Sequence, residues 1–189
     1  VYPLSGAGKS SDLFPWPAVV EDRNVMGATA VAVPGAVAGM DLAHTHFGRM
    51  PWKELVTPAA KLADEGLLVD WYTTLVTAAN ARVLSKDPDT AKMFLDEGHW
   101  PIAGEWTSLT EKRLNQKVFA QTLMQIAEGG ANAFYKGDIA TQLAKDVRAK
   151  GGCLSVQDLH DYQASIVEPL TINYRGGRVY ATPGLTGGP

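Results

Sequence analysis

Residues 115–152 read NQKVFAQTLMQIAEGGANAFYKGDIATQLAKDVRAKGG. Val118, Phe119, Thr122, Leu123, Ile126 and Ala127 recur at the three-and-four spacing that places side chains on one side of an α-helix. Gly129-Gly130 supplies the stop, because glycine readily takes the left-handed conformation that ends helices. Asp138 then offers an oxygen to cap a second helix carrying Ile139, Leu143 and Val147, which Gly151-Gly152 closes. Two such helices in one short stretch predict a predominantly helical region.

The same period extends toward the N-terminus. From Ala36 to Gly48, Val37, Met40, Ala43 and Phe47 keep helical spacing. Pro51 stands where a first helical turn accepts proline, and Trp52, Leu55, Val56, Ala59 and Leu62 line one face as far as Gly66, with Pro58 expected to kink it. A third helix is predicted over 71–85 through Trp71, Leu75, Ala78, Ala79 and Val83, and a shorter one carries Ala91, Phe94 and Leu95. Residues 98–112 read as mixed loop, and the stretch TAVAV at 29–33 as a strand or extended arm. Toward the C-terminus, Ser155 and Asp158 have capping-box spacing, so a short helix should start at 156. Alternation of apolar and polar residues from Ile166 to Thr182 around Arg175-Gly176-Gly177 predicts a hairpin. The fold class expected is therefore α+β and mainly helical. One incomplete domain is expected, with a loop or extended arm over 1–35, a helical region over 36–162, and a hairpin with a Gly-rich end over 163–189. The first residue is Val1 and the chain ends on Gly-Gly-Pro, so it reads as a segment of something longer.

Composition narrows the chemistry. With 189 residues, 46% of them hydrophobic, the chain can bury a core, and a net charge of −3 without clustered Lys or Arg argues against a nucleic-acid partner. No apolar run reaches the length of a membrane span. The single cysteine, Cys153, excludes an internal disulfide and any multi-cysteine metal site, and leaves the redox compartment open; after a Gly-Gly stop it reads as a small buried hydrophobe.

The candidate motifs mostly have structural readings. GAGKS at 6–10 carries the glycines, Lys and Ser of a phosphate loop, but Pro3 stands where the first glycine belongs, and Pro15 and Pro17 forbid the following helix. His44 and His46 are two apart, so on a helix they point about 200° apart and cannot share a metal. His160 beside Asp158 and Asp161 lacks a nucleophile in a turn, Ser155 being better used as a cap. Thr73-Thr74 falls within the third predicted helix. No catalytic residue, metal site or cofactor is assigned from these patterns.

Four stretches resemble one family. VAVPGAVAGMDLAHTHFGRMPWKELVTPAAKLADEG at 31–66, LTEKRLNQKVFAQTLMQIAEGGANAFYKGDIATQLAKDVRAKGG at 109–152, LSVQDLHDYQASIVEPLTINYRGGRVYATP at 154–183 and GLTGGP at 184–189 follow, in order, the pattern of the gamma-glutamyltranspeptidases. The resemblance implies an internal piece of the large subunit of an N-terminal-nucleophile hydrolase with an αββα sandwich. Its precursor cuts itself, and a Thr at the start of a separate small subunit attacks gamma-glutamyl or related amides, with its own amine as base. That Thr is not among these residues, since Thr73-Thr74 is followed by Leu75-Val76 in the wrong region. Where the family places an Arg for the substrate carboxylate, upstream of V-P-G, this chain has Lys9 in Gly6-Ala7-Gly8-Lys9-Ser10, which implies a substrate-binding role for Lys9. Lysine keeps the charge and loses the two-pronged fork, which favours a divergent amidohydrolase or acylase as the alternative. A non-catalytic helical binding module is the reading from another class. Helices made to pack on a larger body should also leave unusual apolar surface exposed.

Overall fold

The computed structural model describes residues 23–104 and 111–184. Lys9 and the GAGKS string lie outside them. The described chain starts near a 3-10 helix at Ala28–Ala30, runs extended to Gly35, and then forms α1 (Ala36–Phe47) and α2 (Trp52–Glu65). After β1 (Leu67–Leu68) come α3 (Trp71–Leu84), α4 (Pro88–Phe94), β2 (Leu95–Asp96), β3 (Trp100–Pro101) and β4 (Arg113–Leu114). The last elements are α5 (Lys117–Tyr135), α6 (Asp138–Ala149), α7 (Val156–Asp161), β5 (Leu170–Tyr174) and β6 (Gly177–Ala181).

Most residues between 36 and 162 are helical, as the apolar period predicts. Caps fix several starts: the Asp70 and Asp87 side chains accept from the backbone N–H groups of Thr73 and Thr90 at 2.7 and 2.9 Å, and Ser155 with Asp158 forms a complete capping box. Helix α2 continues across Pro58. Helical geometry breaks at Gly130, where φ is 63° and ψ is −160°, so the glycine pair acts where expected; one further helical stretch then runs on to Tyr135.

Three expectations are corrected. Residues 28–30 form a 3-10 helix, so the expected strand or extended arm at 29–33 starts only at Val31, and it has no strand partner among the described residues. Strands are not confined to the ends: β1 pairs antiparallel with β4, and β2 with β3. Each ladder is two residues long, too short to leave a period in the sequence. Cys153 is exposed, because the turn at Gly151 directs it outward while its neighbour Leu154 fills the core.

Two packed regions hold the described chain together. Helices α2 and α5 pack most extensively, with small Ala60, Ala63, Ala120 and Ala127 buried beside Ile126, so their backbones can approach closely. The Trp52 indole N–H donates to the Ile126 carbonyl at 2.9 Å and locks their register. The second region gathers Tyr135, Ala140, Ala144, Val147, Leu154 and Leu159 under Val33, Val37 and Ala38. The hairpin β5–β6, in register Ile172↔Val179, is exposed on both faces, with Leu170, Ile172, Tyr174 and Val179 on one side. Met40 and Phe47 of α1 also face outward, and its packed side is the one carrying Ala38 and Leu42.

Tyr135 links the two ends of this architecture. Its hydroxyl donates to the Pro34 carbonyl at 2.6 Å and accepts from the Ala38 N–H at 3.1 Å, so a side chain of α5 caps the first turn of α1. Tyr162 stacks on it at 5.8 Å between ring centroids, and its hydroxyl lies where a Cβ on residue 35 would sit, so a side chain there would push the Tyr162 ring aside. We expect Tyr135→Phe, which leaves two polar backbone groups unpaired, to destabilise the chain by about 1–3 kcal/mol. Tyr162→Phe, whose hydroxyl bonds no described residue, should cost less, and thermal melts of the two variants check this order.

Candidate functional site

The functional reading starts at the arm that enters α1. The end of this arm is held between α5 and the end of α7, where Tyr135 bonds the Pro34 carbonyl and Tyr162 stacks on Tyr135. Burial raises the Tyr135 hydroxyl above its ordinary pKa, which keeps it a neutral donor and acceptor. The sequence reading missed this role, although Tyr135 lies in its most diagnostic stretch; nothing in the local pattern shows that a tyrosine reaches back by 97 residues to a helix start.

The residues singled out by the sequence are mostly engaged in structure. His44 shares a hydrogen bond with the Met50 carbonyl at 2.7 Å and meets Trp52 edge-on, while His46 bonds the Leu42 carbonyl at 2.9 Å. Ser155 and Asp158 satisfy each other in the α7 cap, which holds the Asp158 carboxyl below its ordinary range. Thr74 donates to the Asp70 carbonyl at 3.1 Å and accepts from the Gly104 N–H. His160 lines a cleft of about 310 Å³ with Asp41, Thr45, Lys136 and Tyr162, and no hydrogen bond joins His160 to Thr45 among the described residues. Among the described residues no group of three His, Cys, Asp or Glu could hold a metal ion. The hydroxyl–carboxylate pairs that do form, Ser155 with Asp158 and Thr90 with Asp87, cap the starts of α7 and α4.

A second feature lies where the described chain begins. A cavity of about 1050 Å³ is bounded by Arg23, Met26 to Thr29, the end of α3, the start of α4 and Lys150. The Lys150 ammonium bridges Asp87 at 2.5 Å and Asp89 at 3.1 Å, tying the C-terminus of α6 to the N-terminus of α4. The hydrogen bond from Lys150, aided by the Thr90 N–H, lowers the Asp87 pKa to about 2.

The comparisons with known proteins place this framework. A profile described as Gamma-glutamyltranspeptidase matches residues 5–189. The chain belongs to this family. Glutathione hydrolase 2 of Arabidopsis thaliana is 36% identical over 169 residues, covering 89% of the chain and 28% of the relative. Acylase ACY 1 proenzyme of Pseudomonas sp. (strain V22) is 36% identical over 161 residues, covering 85% and 28%. The gamma-glutamyltranspeptidase of Helicobacter pylori superposes with a TM-score of 0.80 at 29% identity, covering 87% of this chain and 46% of that one. The chain thus spans about 28% of the length of these two curated relatives. No helix among the described residues is long and apolar enough to cross a membrane.

The Asp87–Lys150 pair gives a pH signature. Because the folded carboxyl titrates near 2 instead of 3.8, its stabilisation is present above pH 3.8 and is lost as pH falls toward 2. Lys150, raised by the same contact, loses its share only as pH climbs past 10.5. Carboxyl NMR should find the Asp87 midpoint near 2 and see Lys150→Met move it up toward 3.8.

Proposed function

We propose that this chain is the large-subunit part of an autoprocessing enzyme that cleaves gamma-glutamyl or related amides through an acyl-enzyme. The observation that carries the reading is the family match over residues 5–189, in a segment whose described residues lack an activated nucleophile. The Thr nucleophile belongs to a small subunit cut from the same precursor. The word proenzyme in the names of relatives supports that processing. The helices and the hairpin β5–β6 then flank an αββα sandwich completed by the rest of the protein. A two-stranded hairpin with apolar residues exposed is marginal in water alone, which supports this placement.

Lys9 receives the anionic group of the substrate. It occupies a Gly-x-Gly-basic string upstream of Pro34-Gly35, and the Tyr135–Tyr162 clamp gives the arm a fixed root. An ammonium attracts a carboxylate as a point charge without the geometric selectivity of a guanidinium fork, so the pocket tolerates other acyl groups. The acylase relative at 36% identity favours this second reading of the substrate, an acylase of the same fold.

In the complete protein, Lys9→Ala should raise KM for anionic amides by roughly tenfold or more, the loss of one charge-assisted hydrogen bond, and leave neutral amides little changed. Equal effects on both substrates, or none, remove Lys9 from the site. The 189-residue polypeptide alone should leave a gamma-glutamyl anilide intact.

A further inference from the structure

Helix α3 is built inside out. Its buried residue is Thr77, 5% exposed, whose hydroxyl is satisfied by the Thr73 and Thr74 carbonyls at 2.8 and 3.0 Å. On the opposite side Trp71 and Tyr72 are 58% exposed, Leu75 56%, and Val76 and Val83 41% each. Ala78 and Ala79 are exposed between them. Single exposed apolar residues are ordinary, but a continuous stripe along four helical turns marks an interaction surface.

The stripe is self-complementary. Tyr72, Val76, Ala79 and Val83 form one row at helical spacing, and laying the helix antiparallel on its own copy sets Tyr72 against Val83 and Val76 against Ala79. Val76 then meets the small Ala79, which lets the axes approach closely near the centre. Charge matches in the same register. Asp70 caps the N-terminus, no acidic residue lies within the helix, and Arg82 and Lys86 stand at its C-terminal end without a partner among the described residues. Each end thus faces the opposite charge of the second copy, Arg82 lies within reach of the Trp71 ring, and the two helix dipoles oppose favourably.

We propose that the outward face of α3 is the contact between two copies of this protein, packed antiparallel about a two-fold axis beside Ala78. The exposed side chains offer roughly 500 Å² per copy, given the 150–250 Å² that a buried aromatic contributes. That is below the ~800 Å² per partner of a standard interface, so the dimer is reversible and depends on concentration.

Sedimentation velocity of the complete protein over a concentration series tests this. The expected result is a monomer–dimer equilibrium that Val76→Glu weakens at least tenfold, with an unchanged melting curve because Val76 packs no core. Should that variant fail to fold, mixing Val76→Cys with Ala79→Cys copies, both in a Cys153→Ser background, provides the second reading, and the two should cross-link under mild oxidation. A monomer at every concentration, a dimer indifferent to Val76→Glu, or a monomer in which the rest of the polypeptide shields Trp71 from a fluorescence quencher overturns the proposal.

Discussion

The Tyr135 hydroxyl makes the two hydrogen bonds on which the arrangement of this chain depends. Its partners, Pro34 and Ala38, belong to the arm and first turn of α1, while Tyr135 itself ends α5 after the break at Gly130. A buried backbone group without a partner costs more than a made bond returns, so the pairing fixes where α1 starts relative to α5. Gly35 belongs to the same constraint, because a side chain there would push the Tyr162 ring aside. Residues more than 100 positions apart thus set the exit direction of the N-terminal arm.

Helices were legible wherever an apolar period ran between a cap and a stop, as for α5, α6 and α7. The hairpin was legible from its alternation and Gly176-Gly177, with Arg175 and Gly176 both at positive φ in the turn. The side each helix buries was not. In α3 the stripe Trp71, Leu75, Ala78 and Val83 reads as a core face, yet Thr73, Thr74 and Thr77 take that place because their hydroxyls are satisfied within the helix. In α1, Met40 and Phe47 likewise face out. Period reports amphipathicity, and it cannot report which apolar body lies on which side. The candidate site was legible only through resemblance: Lys9 lies outside the described residues, and no local pattern marks Tyr135 as a clamp.

The outward faces of α1 and of the hairpin β5–β6 fit the same proposal as the nucleophile's place on another subunit. Under the proposed function the attacking group lies on the small subunit, and other parts of the complete fold cover the apolar residues that the hairpin and α1 leave exposed. The described residues supply framework: capped helices, a tryptophan lock between α2 and α5, and the ion pair joining α4 to α6.

Oxidative footprinting of Phe47, Ile172 and Tyr174, compared between the isolated 189-residue polypeptide and the complete protein, tests this most directly. The account predicts strong labelling of all three in the isolated chain and protection in the complete protein. Equal labelling in both would mean that these faces are true surface, and that the segment is not a wall of a larger catalytic fold.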